Sequence, residues 1–77
     1  MTSICLLGAS GSIGQQTLDV MNKNPNDFDL VSFSVGKRTR CISYILKKFP
    51  HVKYICIQDE KVADKYQKKY PNIIFLF

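Results

Sequence analysis

The sequence holds very little with which to bind a metal or run nucleophilic chemistry. Its only histidine, His51, has no partner at ligand spacing. Its three cysteines, Cys5, Cys41 and Cys56, lie far apart and form no CxxC pair. No Ser/His/Asp or Cys/His constellation can be assembled. An odd number of isolated thiols fits a reducing, cytoplasmic setting better than a disulfide framework. Cys5 and Cys56 fall inside apolar, strand-like runs, which predicts that they behave as small buried hydrophobes. Met1-Thr2-Ser3 offers no basic region ahead of a long apolar stretch, so no secretory signal is expected. The run from Ile73 to Phe77 is far too short to span a membrane.

What is present is one small domain's worth of chain. The 77 residues are 45% hydrophobic, which suits a globular core rather than a disordered tail. A chain of this size buries only roughly 60% of the surface it exposes when unfolded, so marginal stability is expected. The net charge is +5. Nucleic acid is not the implied partner, because the basic residues gather mainly in two places. Those from Lys61 to Lys69 read as the solvated face of a helix. The cluster Lys37-Arg38-Thr39-Arg40 could likewise be a solvated loop, but its position argues for more.

Pro25, Pro50 and Pro71 each follow a helix-like stretch and precede an apolar run. Proline cannot continue a helix and biases the residue before it away from helical angles. The pattern predicts a strand–helix unit repeated three times and closed by a last strand. The strands are expected at Ser3–Gly8, Phe28–Val35, Lys53–Gln58 and Ile73–Phe77. Helices are expected at Ser12–Lys23 and Thr39–Phe49, with a third after Asp59, a good N-cap residue. The second helix carries Ile42, Ile45, Leu46 and Phe49 as an apolar stripe, and the third buries Val62, Ala63, Tyr66 and Tyr70. Such alternation implies an α/β fold: a Rossmann-like, doubly wound parallel sheet, here partial, with right-handed crossovers. Ligands of these sheets sit beyond the carboxyl ends of the strands.

Two turns at that end carry the chemistry. The first is Gly8-Ala9-Ser10-Gly11-Ser12-Ile13-Gly14, a GxxGxxG turn between the first strand and the first helix. Gly8 lets the chain leave the strand sharply, Gly11 leaves room for a pyrophosphate, and Gly14 lets the helix pack on the sheet. Ser10 and Ser12 can donate to phosphate or cap the helix. A glycine-rich turn that binds nothing is the bland alternative. The strand–turn–helix setting favours a dinucleotide. A P-loop is excluded, since no Gly-Lys-Ser or Gly-Lys-Thr follows. The second turn is Gly36-Lys37-Arg38. NAD-binding domains usually place a carboxylate at the end of the second strand, on the ribose 2′-hydroxyl. Here Asp27 and Asp29 lie at the strand's other end, and cations stand where the carboxylate would be. Cations attract a 2′-phosphate that a carboxylate would repel, so NADPH is favoured over NADH. Asp59-Glu60 are adjacent and do not converge as a catalytic pair; helix capping accounts for them. Tyr44, Tyr54, Tyr66 and Tyr70 read as core or edge residues rather than as a platform for bases.

The stretch Leu6-Leu7-Gly8-Ala9-Ser10-Gly11-Ser12-Ile13-Gly14-Gln15-Gln16-Thr17-Leu18-Asp19-Val20, then Asn24-Pro25, Phe28 and Gly36-Lys37, resembles the opening of 1-deoxy-D-xylulose 5-phosphate reductoisomerases. The Gln58-Asp59-Glu60 turn also fits. The resemblance implies an NADPH-dependent oxidoreductase and isomerase of the non-mevalonate isoprenoid route. Such an enzyme turns 1-deoxy-D-xylulose 5-phosphate into 2-C-methyl-D-erythritol 4-phosphate with a divalent metal, magnesium or manganese. It implies cofactor contacts at Ser10, Gly11, Ser12 and Ile13 and at Gly36 and Lys37, to which the residue reading of the two turns adds Gly8, Gly14 and Arg38. The family usually has asparagine where this chain has Arg38, and threonine is also common where it has Ser10. The acidic metal ligands and the substrate-phosphate residues of the family lie downstream. Residues 1–77 are therefore expected to be the N-terminal part of the NADPH-binding domain, without the catalytic domain and inactive alone. A sugar phosphate is the substrate implied for the complete protein, which would be a cytoplasmic homodimer with no nucleic-acid or membrane partner. Another GxxGxxG NADP-dependent reductase, or a non-catalytic dinucleotide-binding module, is the alternative reading.

Overall fold

In the computed structural model, which describes residues 2–77, the chain alternates strand and helix throughout. The order is β1 (Thr2–Leu6), α1 (Ser12–Lys23), β2 (Phe28–Val35), α2 (Cys41–Lys48), β3 (Tyr54–Ile57), α3 (Glu60–Lys69) and β4 (Ile74–Leu76). The strands form one parallel sheet in the order β1-β2-β3-β4, the Rossmann-like α/β arrangement that the alternation predicts. The first helix and second strand match their expected bounds. α3 begins directly after Asp59 as expected, β1 starts one residue early and stops two short of Gly8, and α2, β3 and β4 are a residue or more shorter at both ends. Ile42 N–H donates to Thr39 O at 3.1 Å in a turn that precedes α2.

The three prolines act at the same point in each unit. Asn24, Phe49 and Tyr70 are the C-cap residues of the three helices, and a proline follows each of them. All three caps share one non-helical conformation, with φ between −126° and −129° and ψ between 60° and 82°. A following proline disfavours helical angles at the residue before it, so the same local rule ends every helix. At the other end of α3, the Asp59 carboxylate accepts from Lys61 N–H at 2.9 Å and from Val62 N–H at 3.4 Å. Asp59→Ala is expected to cost about 1 kcal/mol. Denaturant unfolding measures it, and a loss below about 0.3 kcal/mol would be too small for a cap.

The core lies between the sheet and its helices. Leu30, Phe33 and Val35 of β2, with Ile55 and Ile57 of β3, meet Leu18 and Met21 of α1, Ile42 and Ile45 of α2 and Ala63 of α3. Each large side chain buried this way contributes roughly 1.5–3 kcal/mol. The register explains how Leu30 and Phe33 share a face although they are three positions apart. Ile4 pairs with Leu30 and Cys5 with Ser32, so Val31 is an extra residue in β2. A single inserted residue reverses the alternation of a strand. Tyr66 of α3 and Tyr70 at its C-cap pack with Phe75 of β4 at ring separations of 6.0 and 6.3 Å. The Gln67 amide pairs with the backbone of β4's outer edge, donating to Ile73 O at 2.6 Å and accepting from Phe75 N–H at 2.9 Å. Edge groups satisfied in this way are withdrawn from pairing with other strands.

Because the strands follow one another in order with right-handed crossovers, all three helices fall on one face of the sheet. The other face is open. This corrects the expectation for two cysteines: Cys5 and Cys56 point to the open face and are exposed. Leu7, expected in the first strand, lies beyond its end and is also exposed. No helix among the described residues is long and apolar enough to cross a membrane.

Candidate dinucleotide site

The glycine turn begins where the β1–β2 ladder stops, at the Leu6–Phe33 pair. Gly8 has φ +73°, and no other described residue has a positive φ. This left-handed step bends the chain out of the strand, a conformation only glycine adopts without strain. The turn closes with Gly11 N–H donating to Gly8 O at 3.1 Å. Gly14, one turn into α1, is buried directly beneath it. A Cβ there would fall on Gly8 O and lie 2.8 Å from Ala9 Cα, so the helix can approach only because Gly14 has no side chain. Gly11 is different: the nearest atom to its would-be Cβ is Gly8 O at 3.5 Å, an ordinary contact.

α1 starts at Ser12, with Gly11 in the N-cap position and no side-chain cap. That corrects the capping option for Ser10 and Ser12: neither hydroxyl caps the helix. The first N–H to find an α1 partner is that of Gln15, which donates to Gly11 O at 2.9 Å. The N–H groups of Ser12, Ile13 and Gly14 precede it and have no partner in the helix. They form an uncapped donor set at the positive end of the helix dipole, the chemistry an anionic phosphate needs.

The second turn leaves β2 at Val35 and brings its cations to the same end of the sheet. Ser10, Gln15, Lys37, Arg38, Thr39, Arg40 and Cys41 line one cavity of about 530 Å³. Gly36 and Lys37 also line a neighbouring hollow, with Gln58 and Asp59. The ion pairs among the described residues are Lys23–Asp19 and His51–Asp29, so Lys37, Arg38 and Arg40 have no carboxylate partner there. No carboxylate lines the first cavity. Burial raises the Cys41 thiol above its ordinary range, against a smaller lowering from a backbone hydrogen bond, which keeps this wall of the cavity neutral. The His51–Asp29 pair, 3.0 Å apart, stands at the opposite end of the sheet, beside a larger hollow of about 860 Å³. That hollow lies at the amino ends of parallel strands, away from the end where such sheets bind ligands.

The structure thus brings Ser10 together with Lys37 and Arg38, and places Gly36 at the base of their loop. Gly8, Gly11, Ser12 and Ile13 are exposed along the turn and the start of α1 without lining the cavity. Four residues of this site, Gln15, Thr39, Arg40 and Cys41, were absent from the residues expected from the sequence. Arg40 and Thr39 were readable as part of the basic run. Gln15 was not: only the fold of α1 shows that its side chain reaches back to the turn. Among the described residues, no group of three or more His, Cys, Asp or Glu is arranged to hold a metal.

Residues 4–75 match the family model of 1-deoxy-D-xylulose 5-phosphate reductoisomerase. The chain is 40% identical over 76 residues to the enzyme of that name from Macrococcus caseolyticus, covering 97% of this chain and 20% of the relative. It is 51% identical over 61 residues to the one from Clostridium novyi, covering 79% and 16%. A solved structure, a DOX-P reductoisomerase in complex with NADPH, fosmidomycin and magnesium, superposes with a TM-score of 0.85 at 25% identity. It covers 99% of this chain and 19% of the other. The chain therefore spans about a fifth of the length of these relatives. On the match over 4–75 and the shared fold, this chain belongs to the 1-deoxy-D-xylulose 5-phosphate reductoisomerase family.

Proposed function

We propose that residues 1–77 are the N-terminal part of the NADPH-binding domain of a 1-deoxy-D-xylulose 5-phosphate reductoisomerase. The observation that carries this reading is the meeting of two turns at one end of the sheet. One offers uncapped helix N–H groups, the other offers unpaired cations with no carboxylate among them. The donor set fits a dinucleotide carrying a 2′-phosphate. Ser10 and the free N–H groups of Ser12, Ile13 and Gly14 would hold its pyrophosphate, with Gly8 and Gly11 shaping the turn that brings it close. Gly36, Lys37 and Arg38 would hold the 2′-phosphate, with the Arg38 guanidinium suited to bidentate contact. When bound, NADPH supplies the hydride for the reduction. The residues of this chain bind and orient it.

The described residues do not fit the divalent metal that the family reaction uses, and no step of that chemistry is assigned to them. Metal binding, the sugar-phosphate substrate and catalysis belong to the remaining four-fifths of a relative's length. We infer for the complete enzyme the conversion of 1-deoxy-D-xylulose 5-phosphate to 2-C-methyl-D-erythritol 4-phosphate, in a cytoplasmic homodimer. The test is calorimetric titration of the chain with NADPH and with NADH, beside an assay with substrate and magnesium. Tighter binding of NADPH with no turnover is expected. Equal affinities would refute the 2′-phosphate role, and turnover would refute the placement of the chemistry elsewhere.

A further inference from the structure

The glycine turn does not hold itself in place. Beyond the last ladder pair, one residue of β2 takes both of the turn's first two N–H groups. Gly8 N–H donates to the Ser34 hydroxyl oxygen at 3.0 Å, and Ala9 N–H donates to the Ser34 carbonyl at 2.8 Å. From the other side, the Gln15 amide donates to Ala9 O at 2.9 Å. The hydroxyl contact is the unusual one. A parallel ladder is made of backbone groups, and here a side chain continues it by one more bond, at the residue whose φ is +73°. Ser34 also stands two residues before Gly36-Lys37, at the end of the strand that delivers the basic loop. It is bonded to the first turn and covalently continuous with the second.

We propose that Ser34 is a positioning residue for the dinucleotide: its hydroxyl holds the glycine turn at the separation from the basic loop that spans pyrophosphate to 2′-phosphate. The proposal rests on the dinucleotide reading above. It assigns Ser34 no contact with the cofactor. Gly8 is exposed, so without the hydroxyl its N–H turns to water and the turn gains freedom that binding must then remove.

The consequence differs from that of losing a cation. Ser34→Ala should weaken NADPH and NADH together, each by about five- to tenfold. The ratio between them should stay as in the unchanged chain. Adenosine 2′-phosphate, which needs only the basic loop, should bind as before. Ser34→Thr keeps the hydroxyl and should restore both dinucleotides. The test is titration of the chain and its variants with these three ligands, followed by amide NMR, which also reports whether each variant is folded. Should Ser34→Ala fail to fold, Ser34→Cys, with a poorer acceptor of similar shape, takes its place. Unchanged dinucleotide affinity in a folded variant overturns the positioning role alone. Parallel loss of adenosine 2′-phosphate overturns it too, by showing a general structural effect. If the unchanged chain binds neither dinucleotide, the dinucleotide reading itself falls, and the proposal with it.

Discussion

Replacing Gly14 by alanine should cost more than about 3 kcal/mol of folding stability, the upper end of what overpacking does. The reason is what the new Cβ would meet. Its neighbours are Gly8 O and Ala9 Cα, both backbone, and neither can swing aside as a flexible side chain would. Relief requires α1 to lift from the sheet, which strips Leu18 and Met21 from the core, or the turn to open. A domain of this length has a total stability of only about 4–12 kcal/mol, so the variant should lose roughly a quarter to three quarters of it. Gly11→Ala, with its nearest contact at an ordinary 3.5 Å, should fall within about 1 kcal/mol of the unchanged chain. Gly8→Ala meets no atom but must hold a positive φ, which costs about 1–2 kcal/mol. Urea unfolding of the three variants gives the order directly. A Gly14→Ala variant as stable as Gly11→Ala would contradict the close approach of helix and turn.

The second large effect concerns the ligand. Lys37→Ala combined with Arg38→Ala should weaken NADPH by about 10- to 100-fold, the range for losing one to two charge-assisted hydrogen bonds at an exposed site. NADH, which lacks the 2′-phosphate, should change by no more than about twofold, since screening limits the field of the missing charges at the distant pyrophosphate. The same screening makes the preference for NADPH shrink as salt is added. Equal weakening of both nucleotides would remove the 2′-phosphate from the account of this loop. Together with Ser34→Ala, this variant separates two effects: one changes the ratio of affinities, the other changes both affinities at constant ratio.

Several features were legible in the sequence because a local rule produces them. The ends of the helices are one: Pro25, Pro50 and Pro71 set the conformation of the residue before them, whatever the tertiary context. Asp59 is another, since an N-cap bond spans only two or three residues. The sharp exit at Gly8 and the tight packing at Gly14 followed from a glycine-rich turn between a strand and a helix. The bulge at Val31 was not legible. Phe28 to Val35 reads as one uninterrupted strand, and only its pairing with β1 shows the extra residue. The exposure of Cys5 and Cys56 was misread for a related reason. An apolar run indicates a strand, but which of its faces is covered depends on the order in which the strands line up.

The sequence by itself determined the alternation of elements, their ends, the two ligand-facing turns and the absence of an acid after the second strand. Each of these depends on neighbours a few residues away. Only the tertiary structure decided that the two turns share one cavity, that all three helices cover one face and leave the other bare, and that Ser34 and Gln15 grip the glycine turn from opposite sides. Ser34 and Gly8 are 26 residues apart. No periodicity or turn propensity reports a contact over that distance, because its partners are chosen by sheet register and crossover handedness, which exist only once the chain has folded.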